Sequence, residues 1–377
     1  MFEVGNLNYN FQSFLDMVGL IQGTTLGVLL IVLNKRKYRS TFFLGLFLIF
    51  LSLKLVSYIA ISLQVSDVYP TLFLLPFNFS WLLLPLFFVY TQQVCALSNE
   101  KTHYWVLIPG VVSFLAQLVI FFLPYETKLM ISQSPWYVLI FTYIGIFYSL
   151  AIGVWNLRLL YHHRIEVHNS FSLIESKELQ WARVFLIYSL ITTVIIHILF
   201  YISTTNYYFK ILFSVFDLIA IYWVSYHGVV QRNVLSVLDE RGRYHIPLQV
   251  PSETVNTTTT ATEELEALME KIDNHMVRSE SFIHTELTIV DLAEKLKVHP
   301  KRISTAINTI RQQNFNTYVN RFRIKKAEQL LRNQEEIHLS IEGIGNEVGF
   351  HSKSAFYSAF KKETGTTPTK YKEKISA

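Results

Sequence analysis

Cysteine is nearly missing from this chain: its 377 residues include one, Cys95, so no internal disulfide framework holds it together. Charge is scarce as well, at 16% Asp, Glu, Lys and Arg, where a soluble domain usually carries about a quarter. Motifs of enzyme chemistry are absent too, with no Walker loop, dinucleotide fingerprint, zinc spacing or nucleophile elbow. Neither catalysis nor a metal or cofactor is therefore expected. The N-terminus lacks a basic leader region: Glu3 is acidic, and the cluster Lys35, Arg36, Lys37 and Arg39 follows the first apolar run. That order predicts a retained span with its N-terminus outside rather than a cleaved signal peptide.

What is abundant is apolar surface. Hydrophobic residues make up 51% of the chain, aromatics 15%, and the mean hydropathy is +0.30, which excludes a disordered chain. Seven stretches are long enough to cross a hydrocarbon core, which takes about 20 helical residues. They run near Met17 to Asn34, Phe42 to Leu63, Leu72 to Leu97, Trp105 to Leu123, Trp136 to Trp155, Val184 to Ile202 and Tyr208 to Val229. Basic residues gather after the first, third and fifth stretches, in Lys35 to Arg39, Lys101, Arg158, Arg164, Lys177 and Arg183; the opposite side has Lys128 and Lys210. Because cytoplasmic loops collect Lys and Arg, this bias places the N-terminus outside and everything after Val230 in the cytoplasm. Trp105, Trp136, Trp155 and Trp181 fall near span ends, where indoles anchor among headgroups. A transporter would be expected to show repeated halves with broken helices, and no such repeat is visible.

Three ionisable side chains fall inside spans: Lys54, His197 and Asp217. A charge in hydrocarbon is expensive and so marks a candidate functional site. Lys54 and Asp217 each lie about nine residues, or ~14 Å, from the outer face, so an ion pair inside the bundle is expected. The alternative is a snorkelling Lys54 and an Asp217 that lines a wet crevice. These three residues are the candidate sensing groups, with a proton-linked role for His197 set against simple hydrogen bonding within the bundle. Cys95 reads as packing.

After Val230 the composition changes. Arg232, Asp239, Glu240, Arg241 and Arg243 arrive together, then Pro251 and the run Thr257 to Thr260. This reads as a linker over 231–261, with a flexible-chain span of ~30 Å. Residues 262–377 then form a third region, after a membrane domain over 1–230. Glu263 to Glu294 is acidic, whereas from Lys295 onward there are 16 Lys and Arg against 7 acids, a local basic surface of the kind that attracts phosphate.

Apolar residues in this last region recur at helical spacing. Leu265, Leu268, Met269, Ile272 and Met276 share one face of a first helix, and Thr288 with Asp291 forms a capping-box pattern. Proline at the first helical position opens another helix at His299-Pro300. An internal repeat follows: Leu287-Thr288-Ile289 returns as Leu339-Ser340-Ile341, Leu292-Ala293 as Ile344-Gly345, and Leu296 as Val348. Gly349 makes the turn, Ser352 caps, and after a one-residue slip Phe356 and Phe360 replace Ile303 and Ile307. Two short helix-turn-helix units are thus joined by one long helix, giving an all-α chain: a seven-helix transmembrane bundle followed by a soluble double helix-turn-helix domain.

Short helices on a rigid connector present their outer side chains to successive major grooves of double-stranded DNA. The first presents Lys301, Arg302, Ser304, Thr305 and Asn308, the second Lys353, Ser354, Tyr357, Ser358 and Lys361. Arg321, Arg323, Lys325, Lys326 and Lys362 add positive potential. Over about 95 residues this region resembles the AraC/XylS family of bacterial transcription regulators. The resemblance is carried by Ile341, Ile344, Gly349-Phe350, Ser352, Phe356, Phe360-Lys361, Gly365, Thr367-Pro368 and Tyr371, and by Leu292-Ala293, Phe315, Tyr318, Arg323, Ala327 and Leu330-Leu331. It departs at His299-Pro300, where the family has a serine cap, at Gln312 for glycine, at Gly345 for alanine and at Lys372 for arginine. The resemblance implies sequence-specific promoter binding, commonly as a homodimer, and a bacterial inner-membrane setting for a membrane-tethered variety. It does not reach residues 1–230, whose partners are expected to be the lipid bilayer and a small-molecule or membrane signal.

Overall fold

A computed structural model describes residues 7–32, 39–95, 102–175, 177–202, 207–230, 258–332 and 339–376. Lys35, Arg36, Lys37, Lys101 and the linker from Gln231 to Thr257 lie outside these described residues. The chain divides into two units, one of residues 1–163 and 179–240, the other of residues 164–178 and 241–377. Among the described residues both are helical and neither contains a strand.

The first unit is built from α1 (Phe11–Val32), α2 (Arg39–Ser62), α3 (Leu83–Val94), α4 (Ile108–Phe121), α5 (Tyr125–Gln133), α6 (Gly145–Ser170), α7 (Gln180–Ile202) and α8 (Tyr207–Val230). The last residues of α6 count with the second unit. Its polarity is the reverse of a water-soluble bundle. Val119, Phe122, Phe147, Ile187 and Ile191 are exposed, while Gln12, Asp16, Ser52, Thr91, Gln117 and Asn156 are buried. A monomer in water does not present so large an apolar surface, whereas a bilayer solvates it. Packing follows the same logic: a Cβ at Gly23 would lie 1.8 Å from the Ser52 hydroxyl, so glycine lets α1 and α2 approach closely where no hydrophobic force drives helices together.

Six helical stretches among the described residues are long and apolar enough to span, not seven. The third predicted span, Leu72 to Leu97, is broken. A turn at Pro70–Leu72 leads into irregular chain, and only Leu83–Val94 is helical, 12 residues long. The cause is local. Pro76 lacks the amide a helix needs, Leu74 is in the left-handed region, and Asn78 engages its backbone with the Gln117 side chain instead (Asn78 N to Gln117 Oε1, 3.2 Å; Gln117 Nε2 to Asn78 O, 2.9 Å).

Irregular backbone is tolerated at membrane depth when protein surrounds it, and Phe87, Phe88 and Val89 of α3 are fully buried. Lys128 satisfies the freed carbonyls, donating from Nζ to Thr71 O (2.7 Å), Phe73 O (2.9 Å) and Phe121 O (3.3 Å). Lys128→Met is accordingly expected to remove about 2–3 kcal/mol, seen as a lower thermal midpoint of the detergent-solubilised chain. Of the tryptophans expected at interfaces, Trp105, Trp136 and Trp155 are exposed, but Trp181 is buried and stacks on His227. It is a core residue.

The second unit contains α9 (Thr258–Ser279), α10 (Ile289–Leu296), α11 (Pro300–Ile310), α12 (Phe315–Arg332), α13 (Ile341–Glu347), α14 (Lys353–Thr364) and α15 (Pro368–Ser376). Two apolar cores form. Leu268, Met269, Ile272, Ile303, Ile307, Phe315 and Val319 share the first; Ile324, Ala327, Leu331, Ile344, Phe356 and Phe360 share the second. Helix α12 contributes to both.

Candidate nucleic-acid interface and intramembrane charges

The repeat seen in the sequence is a repeat of hydrogen bonds. Thr288 accepts from Asp291 N, and Asp291 in turn accepts from Thr288 N at 2.9 Å, completing the capping box that starts α10. Ser340 caps α13 through Gly343 N at 3.0 Å. The turns match as well: Val298 N reaches Ala293 O at 3.1 Å, and Phe350 N reaches Gly345 O at 3.0 Å.

The two units differ where the turn backbone is left-handed. In the second helix-turn-helix repeat these positions are Gly349 and Gly365, and in the first repeat they are Lys297 (φ 55°) and Gln312 (φ 52°). A side chain there is strained, and both are exposed, so Gln312→Gly is expected to stabilise the chain by roughly 0.5–1 kcal/mol in denaturant titration.

The caps of the recognition helices differ likewise. Ser352 accepts from Ala355 N at 3.2 Å to start α14. At the matching place before α11, the His299 ring accepts from Lys301 N at 3.2 Å, so the imidazole does the work of a serine. Gly345, where alanine is usual in the resembling family, has no room for a methyl: a Cβ would sit 2.8 Å from the Phe356 ring.

On α11 the inward face is Ile303, Ala306 and Ile307. Lys301, Arg302, Thr305 and Asn308 are exposed and Ser304 is half-buried. Arg302 is engaged with α9, its NH2 lying 3.2 Å from Glu264, and Arg311 pairs with Asp273. The acidic helix thus partly covers the charge of the first helix-turn-helix repeat. On α14, Lys353, Ser354, Ser358 and Lys361 are exposed, and half-buried Tyr357 reaches Thr369 at 3.1 Å. Lys353 lies 3.8 Å from Glu342. Lys301 and Lys361 make no ion pair among the described residues. Connecting helix α12 has 18 residues, about 27 Å, comparable with the ~34 Å between successive turns of a groove.

Arg323 is not part of this basic surface. It is 2% exposed, with Nε donating to Phe282 O at 2.7 Å and NH2 to His284 O at 2.9 Å, and it lies over the Phe350 ring. Burial lowers its guanidinium to about 10, which leaves it charged at neutral pH. Arg321 pairs with Glu363 and Lys326 with Glu280.

In the first unit, Lys54 Nζ and Asp217 Oδ1 are 2.6 Å apart. His197 is not brought to this pair: its Nδ1 lies 2.6 Å from Thr193 O, one turn back in α7. The sequence reading missed Asp16. It is 1% exposed, with the Ser214 and Gln12 side chains beside its carboxylate, and it feels the charges of both Lys54 and Asp217. The reason is a boundary: helix α1 starts at Phe11, six residues before the predicted edge at Met17, and a span beginning at Met17 does not include Asp16.

Comparison with known proteins locates the resemblance. Residues 292–374 match the family model described as a helix-turn-helix domain. The chain is 31% identical over 91 residues to the Msm operon regulatory protein of Streptococcus mutans, covering 24% of this chain and 32% of that protein. It is 27% identical over 110 residues to the HTH-type transcriptional regulator AlkR of Acinetobacter baylyi, covering 29% and 35%. The matched part therefore spans about a third of each relative's length. No solved structure matches the chain. The C-terminal part is a helix-turn-helix DNA-binding domain of the AraC type, as found in transcription regulators.

Proposed function

We propose that this protein is a membrane-embedded, sequence-specific transcription regulator, in which residues 1–230 sense a signal and control a DNA-binding domain at 262–377 through the linker 231–261. One observation carries the DNA half of this reading: two capped helices, α11 and α14, stand in the same internal repeat with polar outer faces on one connecting helix. Lys301, Arg302, Ser304, Thr305 and Asn308, with Lys353, Ser354, Tyr357, Ser358 and Lys361, are the groups that would meet bases and phosphates of promoter DNA. A homodimer on DNA fits the relatives' class. The broken stretch before α3 counts as a crossing in this reading, so the N-terminus is outside a bacterial inner membrane and the C-terminal unit is cytoplasmic.

Sensing is assigned to Lys54 and Asp217, because three ionisable groups, with Asp16, converge where a lipid-facing bundle has no structural need of them. A ligand or membrane condition that binds one arrangement of the bundle better than another shifts the population of the DNA-binding state. The test is crosslinking of the tagged full-length chain in cells followed by sequencing of the recovered DNA, beside a Lys301→Ala/Lys353→Ala variant. Discrete sites lost in the variant support the reading. Equal recovery from both proteins removes the assigned interface. Should Asp217→Asn leave the output of those promoters unchanged under every growth condition, the membrane part is only an anchor.

A further inference from the structure

The short segment between α6 and α7 belongs to the second unit, not the first. Phe171 is 2% exposed and forms an isolated antiparallel bridge with Thr288. Every polar atom of Ser172 is used. Its amide donates to Leu287 O at 3.0 Å, and its carbonyl accepts from the buried Asn316 Nδ2 at 2.7 Å. Its hydroxyl donates to Thr285 O at 3.2 Å and accepts from Arg323 NH2 at 3.2 Å. Three residues on, the Glu175 carboxylate accepts from the Ser352 hydroxyl at 2.6 Å. Ser352 is the cap of recognition helix α14.

We infer that Phe171–Glu175 is an autoinhibitory strap, anchored on Leu287, Asn316 and Arg323, which holds the Glu175 carboxylate on Ser352 at the start of α14 against the approach of a DNA phosphate. The inference rests on the DNA-binding reading above. A helix N-terminus with exposed amides and a capping hydroxyl favours an anion, and recognition helices use such ends to seat the DNA backbone. Here a carboxylate of this same chain is already seated. A phosphate arriving at that point meets a like charge and must displace it. The strap is continuous with α6 at one end and α7 at the other, both long apolar helices. The strap is thus a second place, besides the linker after Val230, where the chain passes between the apolar helices and the DNA-binding unit.

The deciding experiment uses the full-length chain in lipid nanodiscs with duplexes selected from a randomised library, titrated at fixed salt. Glu175→Gln and Glu175→Ala are expected to bind the selected duplex at least tenfold more tightly than the unaltered protein. Glu166→Gln, which removes an exposed charge on α6 that does not touch α14, is expected to bind as the unaltered protein does. In parallel, the Ser172 amide is expected to lose hydrogen-exchange protection when duplex is added. If the unaltered chain binds duplex and Glu175→Gln binds it no better, or if Glu166→Gln gains as much, the strap does not inhibit while the DNA reading stands. If no variant binds any duplex of the library, the DNA reading falls and the strap falls with it.

Discussion

Arg323→Leu is expected to remove about 2–4 kcal/mol from the second unit, because it breaks several hydrogen bonds made by a buried charged group, each worth about 1.5–3 kcal/mol at most, and strips a buried carbonyl of its donor. The guanidinium donates to Phe282 O and His284 O, reaches Asn320 Oδ1 at 3.4 Å, and covers the Phe350 ring. Leucine leaves the Phe282 carbonyl buried and without a donor, at about 1–3 kcal/mol, while His284 O keeps the Leu287 amide at 3.1 Å. Position matters as much as number. Val319 packs in the first core and Ile324 in the second, so Arg323 stands at the joint and fastens the Phe282 turn beside one core to the Phe350 turn of the other. Both recognition helices should lose their mutual placement, and pulse proteolysis of the full-length chain should show the C-terminal unit opening at lower urea. Arg323→Lys is expected to recover only part of the loss, since one ammonium cannot imitate a planar fork of donors. A variant as resistant as the unaltered chain would mean that the carbonyl finds water instead.

The second large effect is in the membrane. Lys54→Met is expected to destabilise the first unit by more than about 3 kcal/mol, and by more than Asp217→Asn does. The asymmetry follows from Asp16. Without Lys54, two carboxylates, Asp16 and Asp217, lose the cation that acts on both. Without the Asp217 charge, Lys54 still has Asp16 within its field. Thermal unfolding of the two single variants and the double variant in detergent measures this directly. Equal losses for the two single variants would remove Asp16 from the cluster, and additive losses would remove the coupling between Lys54 and Asp217.

The same boundary between pattern and packing runs through the whole molecule. The lengths of the apolar runs, the caps Thr288, Ser340 and Ser352, the turn at Gly349 and the two cores of the repeat are visible in sequence because they depend on near neighbours in the chain. A span is a run of side chains, a cap is a residue and the amide three positions on, and a helix face is a period. Where a reading failed, the deciding partner was distant. Leu72 to Leu97 has the composition of a span, yet Gln117 and Lys128 supply the hydrogen bonds that make an interrupted backbone affordable there. Arg323 and Arg321 look alike in a basic stretch, and only burial against Phe282 and His284 separates the structural one from the exposed one. Asp16 was hidden by six residues of helix.

The sequence by itself therefore determined an all-helical chain with an apolar N-terminal part and a repeated helix-turn-helix at its end, because periodicity and local capping are properties of consecutive residues. The Lys54–Asp217 pair was legible from matching depth, but tertiary structure alone decided that Asp16 lies beside it, that Arg323 is an internal fastener, that Ser172 belongs with α12 and that Glu175 belongs with α14. The Arg323 bonds to His284 and Phe282 join residues 39 and 41 positions apart, and those of Ser172 and Glu175 to Asn316 and Ser352 join residues 144 and 177 apart; no local pattern encodes which distant donor will satisfy a buried polar group.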